Sequence, residues 1–287
     1  MFSGGVGSWA AARRTVDAHG PDDVVLLFTD TLVEDPDLYR FLEQAAVEVG
    51  APLVRIADGR TPFEVFHDRR FIGNSRTAHC SEELKQKPAR RWLDEHHPDG
   101  ATIVVGIDWT EIHRMRAVHA SYSHLASGCR STDCRSLFDS DGRRPGPTRC
   151  TALEQRHRVW APLCDPPLVA KGQLVADLRA TGIDVPAMYA EGFPHNNCGQ
   201  QGCVRGGQDY WRHLLRMRPT VYLETERLEA KLRDELGTDS TVLTETVRGE
   251  QRRLPLATLR DRAESQPELF DGQDWGGCGC FVDEPAP

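Results

Sequence analysis

Two groups of residues in this sequence have the types and spacing that chemistry needs. The first is Ser3-Gly4-Gly5-Val6-Gly7-Ser8, immediately ahead of Trp9, Ala12 and Val16 at helical spacing. Glycines let backbone N–H groups approach an anion without a Cβ in the way. A helix start adds partial positive charge, and Ser3 and Ser8 add hydroxyl donors. The expectation is a phosphate or pyrophosphate cradle; the plainer alternative is a glycine turn that only opens a helix. The loop is neither a Walker A sequence nor a GxGxxG fingerprint.

The second group is cysteine. Cys198 and Cys203 form a C-x4-C pair, and Cys278-Gly279-Cys280 sits in a glycine-rich tail. Four thiolates in two pairs suit a [4Fe–4S] cluster or a tetrahedral Zn²⁺. Cys198, Cys203, Cys278 and Cys280 are the expected ligands, with Cys80 able to replace one. Cys278 and Cys280 are also candidate catalytic thiols, because a tail of this kind can swing into a site as a redox nucleophile. Reduced surface thiols are the bland alternative. Cys129 and Cys134 repeat the C-x4-C spacing, and Cys150 and Cys164 lie near them. His195-Asn196-Asn197 precedes Cys198 and could orient a ligand, although a lone histidine is more often structural. Arg205, Arg212, Arg216 and Arg218 surround Tyr210 and Trp211. That run suits an acidic partner such as a nucleic-acid backbone, or a solvated helix face.

These residues need a framework. Residues 24–28 are a continuous apolar run, as expected of a strand buried on both faces of a parallel sheet. Residues 52–56 and 102–106 read as further strands. Helical patterns cover residues 8–18, 37–49 and 82–95, the last interrupted by Pro88. Strands alternating with helices imply an α/β fold with a mainly parallel sheet. Residues 127–158, rich in Ser, Asp, Gly, Arg and Pro, read as a long surface excursion. Helices are expected again at 168–181, 208–217 and 220–236.

The bulk numbers narrow the function classes. The chain has 287 residues, 9 cysteines, and a formal net charge of -8. The negative balance argues against nonspecific coating of nucleic acid. No apolar run approaches the roughly 20 residues that span a bilayer, so no membrane role is expected. The first residues lack a signal-peptide pattern. A cytoplasmic location is therefore expected, where clustered cysteines read as metal ligands or redox groups rather than disulfides.

Several segments, in order, resemble the PP-loop superfamily and within it the phosphoadenosine-phosphosulfate (PAPS) reductase-like proteins. The loop resembles their SGGxxS motif, with Gly7 where many ATP pyrophosphatases carry Asp. Most relatives have an apolar strand before the loop, which this chain does not show. Cys80-Ser81-Glu82-Glu83-Leu84-Lys85-Gln86-Lys87-Pro88 is similar to C-x-x-x-L-K-x-x-P. Gly106-Ile107-Asp108-Trp109-Thr110-Glu111-Ile112-His113-Arg114 is similar to G-x-R-x-x-E-x-x-R, with Asp108 replacing the first Arg. Residues 160–198 resemble P-L-x-D-W…G-I-x-x-P-x-L-Y-x-x-G…C. The resemblance runs from the loop to about Gly207.

It implies an adenine nucleotide alpha-hydrolase-like, three-layer α/β fold over residues 1–207, with residues 208–287 a helical, cysteine-bearing extension. It implies that ATP, adenylyl sulfate (APS) or PAPS binds at Ser3, Gly4, Gly5, Val6, Gly7 and Ser8. Asp30 and Thr31 would stand near the adenosine, and Lys85, Lys87, Gly106, Glu111 and Arg114 around the phosphates. The implied function is sulfur chemistry, in which a thiolate attacks the sulfur of an adenylylated sulfate, aided by a thiol reductant or sulfur donor. One alternative is an ATP pyrophosphatase or sulfurtransferase that modifies nucleic acid with an iron–sulfur cluster. The other is a non-catalytic nucleotide- and metal-binding module.

Overall fold

A computed structural model of the protein describes residues 1–115, 157–265 and 274–276. Most of the expected excursion, and the tail thiols Cys278 and Cys280, lie outside these residues. Within them the fold mixes helices with short parallel strands, as the alternating pattern implies.

Strand β1 (Leu26–Asp30) is buried along its whole length. It pairs in parallel with β2 (Leu53–Ala57), from Leu26 opposite Leu53 to Asp30 opposite Ala57. β3 (Thr102–Val104) pairs in parallel with β4 (Arg158–Trp160). The first two residues bridge these pairs. The Phe2 N–H donates to the Leu27 carbonyl at 2.8 Å, and the Met1 amine donates to the Val104 carbonyl at 2.7 Å. The glycine loop thus leaves from between the two strand pairs, beside the C-terminal end of β3, and open α/β folds place ligands at such strand ends.

Helices follow local signals. α1 (Val6–His19) begins at Gly5, whose N–H donates to Ser8 Oγ while Ser8 Oγ donates to the Gly5 carbonyl. α2 (Pro36–Val49) has Asp35 as its N-cap, accepting from the Asp37 N–H at 2.9 Å, with Pro36 in its first turn. α3 (Pro62–Arg69) is closed by a capping box between Thr61 and Glu64. Before α4 (Lys87–His96), residues Glu82–Gln86 form a π-helical turn. Pro88 lacks an N–H and cannot complete an ordinary helical turn there. α5 (Lys171–Ala180), α6 (Ala187–Ala190), α7 (Gln208–Met217) and α8 (Pro219–Leu236) follow.

The C-terminal portion is not only helical. An antiparallel hairpin, β5 (Leu243–Val247) with β6 (Glu250–Leu254), precedes α9 (Leu256–Ser265). Arg248 and Gly249 turn it with φ of 53° and 84°, the paired positive values of a tight hairpin. Glu250, Gln251, Arg252 and Arg253 are all exposed, so no apolar alternation announces the strand in sequence.

Two main apolar cores result. One packs α1, β1 and α2 with Leu174 and Leu178 of α5. The other joins Phe63, Phe66, Ile72 and Leu84 to Trp211, Leu214, Tyr222, Leu254 and Leu259. Elements from either side of residue 207 therefore share a core. Among the described residues no helix is long and apolar enough to cross a membrane.

Candidate functional site

Backbone contact between two glycines shapes the principal cleft. A Cβ on Gly7 would stand 2.7 Å from the Gly106 carbonyl oxygen, and one on Gly106 would stand 2.6 Å from the Ser8 nitrogen. Neither position has room for a side chain. The N-terminus of α1 and the segment after β3 therefore meet through bare backbone. Gly7 has a packing reason here, whatever its chemistry.

The cleft holds about 400 Å³. Ser3, Gly5, Gly7 and Ser8 line one side, and Gly106, Glu111 and Arg114 another. Lys171, Tyr189 and His195-Asn196-Asn197 complete the wall. Gly4 and Val6 are not on its lining: Val6 is wholly buried in the core, and Gly4 packs against Leu38. Ser8 already spends its hydroxyl on Gly5, so backbone N–H groups remain the loop's natural anion donors.

The segment after β3 is organised by Asp108. Its Oδ1 accepts from the Thr110 N–H at 2.8 Å and caps the 3₁₀ turn Trp109–Arg114. That turn brings Glu111 and Arg114 together in an ion pair of 2.8 Å. Asn196 closes the opposite side. Its Nδ2 donates to the Gly4 carbonyl at 2.7 Å, which pins the loop to the segment carrying the cysteines.

Four further residues expected at the nucleotide are not on this cleft. Asp30 is buried and accepts from the Leu32 N–H, the Tyr39 hydroxyl and Arg55. Thr31 donates to Glu34 Oε1 at 2.9 Å. Lys85 pairs with the same buried Glu34 carboxylate at 3.2 Å. Lys87 pairs with Glu83 at 2.6 Å on the far side of the π turn. Burial raises the Glu83 carboxyl, but hydrogen bonds from Lys87 and Arg69 outweigh it and hold the group at about 2. In this structure these side chains pair with protein partners.

Thr31 and Lys85 instead line a second, smaller cavity of about 20 Å³ with Cys80, Cys198, Cys203 and Arg205. All three thiols are buried. Cys198 adopts a left-handed backbone, φ 55°. Its N–H donates to Glu34 Oε2 at 2.5 Å. The Cys203 N–H donates to the Tyr210 hydroxyl at 3.1 Å. A hydrogen bond with Cys203, then burial and the Glu34 charge, push the Cys198 thiol well above its ordinary range. Among the described residues no three His, Cys, Asp or Glu side chains are already arranged around a metal position.

The expected partner thiols Cys278 and Cys280 lie outside the described residues, as do Cys129, Cys134 and Cys150. The start of their tail is described. Gly276, with φ of 67°, forms an antiparallel bridge with Gly206. Asp274 is tied to α7 through the Asp209 N–H at 2.9 Å and the Gln208 N–H at 2.9 Å. The arginine run is not a free basic surface. Arg218 pairs with Asp35 and Glu191, Arg212 with Asp209 at 3.6 Å, and Arg216 donates to His213.

Sequence reading gave Lys171 and Tyr189 no individual role. Lys171 opens α5, and its Nζ donates to the Pro194 carbonyl at 3.2 Å. It lies over the Tyr189 ring, 5.6 Å from the centroid. Only the fold brings them to the glycine loop. No family model matches the chain, and no curated protein matches it.

Proposed function

We propose that the protein is a PAPS reductase-like PP-loop enzyme, with the three-layer fold of that group, which binds an adenine nucleotide in the cleft beside the glycine loop. One observation carries this reading. The glycine loop, the Gly106–Arg114 segment and the His195–Asn197 segment, far apart in sequence, line one cleft beside the C-terminal end of the parallel strand β3. Loop N–H groups and the α1 terminus take anionic oxygens, while Arg114 and Lys171 balance charge.

In the reductase version a tail thiolate, from Cys278 or Cys280, attacks the sulfur of the nucleotide's sulfuryl group. A sulfur–sulfur bond forms, the bond from sulfur to the bridging oxygen breaks, and the nucleotide phosphate leaves with that electron pair. A second thiol, from an external reductant, then attacks the cysteine sulfur. Sulfite leaves and a disulfide forms, so two thiols supply the two electrons. The test is sulfite release from PAPS and APS in the presence of a dithiol. The expected result is turnover that Cys278→Ser or Cys280→Ser abolishes while nucleotide binding survives. Failure of ATP, APS and PAPS alike to bind would overturn the reading.

The cysteine cavity favours a second reading, an ATP pyrophosphatase or sulfurtransferase. Cys80, Cys198 and Cys203 supply soft donors on one cavity, and Cys278 or Cys280 would supply the fourth. As a donor set they suit Zn²⁺ or [4Fe–4S]. A cavity of about 20 Å³ is the size of a single ion. A bound metal would hold these thiols as thiolates and, as a cluster, supply sulfur or electrons. Anaerobic purification followed by iron, sulfide and zinc analysis, with pyrophosphate release from ATP as the activity readout, separates the two.

A further inference from the structure

The β5–β6 hairpin sorts its charges by face. Directly opposed residues of an antiparallel pair lie on one side of the sheet. Leu243 opposes Leu254, Glu245 opposes Arg252, and Val247 opposes Glu250. These residues share the inner face, where both leucines enter the core and Glu245 pairs with Arg262 of α9 at 2.7 Å. Thr244 with Arg253, and Thr246 with Gln251, make up the outer face. Both acids of the hairpin are therefore on the inner face. The outer face holds hydroxyls, an amide and a guanidinium, with Thr246, Gln251 and Arg253 exposed.

A second segment adds to that face. Exposed Arg76 donates to Gln251 Oε1 at 2.9 Å, and Gln251 Nε2 donates to Thr244 Oγ1 at 3.0 Å. The amide holds the Arg76 guanidinium against the ribbon without neutralising it. Arg248 stands in the exposed turn at the tip. Among the described residues neither Arg76 nor Arg248 is paired with a carboxylate. Arg253 has Asp239 at 3.9 Å, but that carboxylate is 84% exposed, and such pairs are weak. Arginines elsewhere, such as Arg60, Arg218, Arg227 and Arg260, sit against carboxylates. In a chain of net charge -8, an arginine face left unmatched by its own acids stands out.

We propose that this outer face is a contact surface for duplex DNA, with Arg76, Arg248 and Arg253 on backbone phosphates and the ribbon lying in the major groove. Guanidinium and hydroxyl groups are the donors that phosphate oxygens take. The major groove of B-form DNA admits a two-stranded β-ribbon, whereas that of an RNA duplex is too narrow for side chains to read. The face has no large apolar side chain to sink into a lipid surface. The inference goes beyond both readings of the cleft and depends on neither.

Fluorescence anisotropy of the full chain with a labelled DNA duplex, across a salt series, tests it. The wild type is expected to bind with an affinity that falls linearly in log salt. Replacing Arg76, Arg248 and Arg253 together by alanine should lower affinity at least about tenfold and reduce the salt slope by about two to three, with the thermal melt unchanged. The same three positions as lysine should keep most of the slope. Arg227→Ala, on α8 and paired with Glu224, should change neither quantity. If the triple alanine variant melts early, Arg248→Ala alone should remove about one unit of slope. The surface is overturned if the wild type fails to bind the duplex at low salt, or if the alanine variants bind as the wild type does. Tighter binding to an RNA duplex or to phosphatidylserine vesicles than to DNA overturns it too. Nucleotide affinity has no part in this readout, so the surface and the cleft readings fail separately.

Discussion

At the scale of single residues, the site depends on groups that leave space and groups that fill it. Gly7 and Gly106 leave space. A methyl group at either would press on backbone rather than on a flexible side chain. Gly7→Ala is expected to cost about 1–3 kcal/mol of stability and to weaken nucleotide binding; thermal melts with and without ATP read both. Asn196 fills space. Asn196→Ala leaves the Gly4 carbonyl without its side-chain donor, a loss of about 1–3 kcal/mol. The expected signature is at least a tenfold drop in nucleotide affinity with the circular dichroism spectrum intact. The glycine loop was legible in sequence because its composition is its mechanism. Lys85 was not. Its spacing resembled a phosphate contact, but its partner Glu34 lies on another segment, and only the fold reveals the pair.

At the scale of elements, the readable parts were those with a strong local rule. The apolar run that became β1 is fully buried, two residues later than its predicted span. Pro88 marked a helix irregularity and the structure resolves it as a π turn. The β5–β6 hairpin escaped because β6 is polar and exposed along most of its length. β4 has three residues, too few for any pattern to emerge. The π turn also gives a pH prediction. Glu83 links Arg69 at the end of α3 to Lys87 at the start of α4, and its folded value of about 2 lies below the ordinary 4.5. The unfolded chain binds the proton more tightly. The stabilisation is therefore complete above pH 4.5 and lost as pH falls towards 2. Urea midpoints across that window should fall in the wild type. Glu83→Gln should start lower at pH 7 and show a shallower slope.

At the scale of the whole molecule, the boundary expected near residue 207 does not separate two cores. Phe66 and Leu84 from the first part pack in the same cluster as Trp211 and Tyr222 from the second. Sequence composition changes there, from alternating strand and helix to helix and tail, but packing crosses the change. The tail anchor is the strongest sign of this closure. A Cβ on Gly276 would meet the Gly207 nitrogen at 2.5 Å. Gly276→Ala is expected to release the tail. Limited proteolysis should then cut after residue 265 faster than in the wild type. Sulfite release should fall sharply while ATP affinity changes little.

The segment that joins the two cavities is very short. Asn196 is fastened to the glycine loop and Cys198 hangs from Glu34, with one residue between them. So short a link has no slack. On the proposed reading, a guest that draws Cys198 and Cys203 together will tighten the rim assigned to the nucleotide, and stripping that guest will loosen it. Preparations that differ only in chelator or oxygen exposure should therefore differ in apparent nucleotide affinity. A weak binder on the bench can be a strong one whose thiols were left unoccupied.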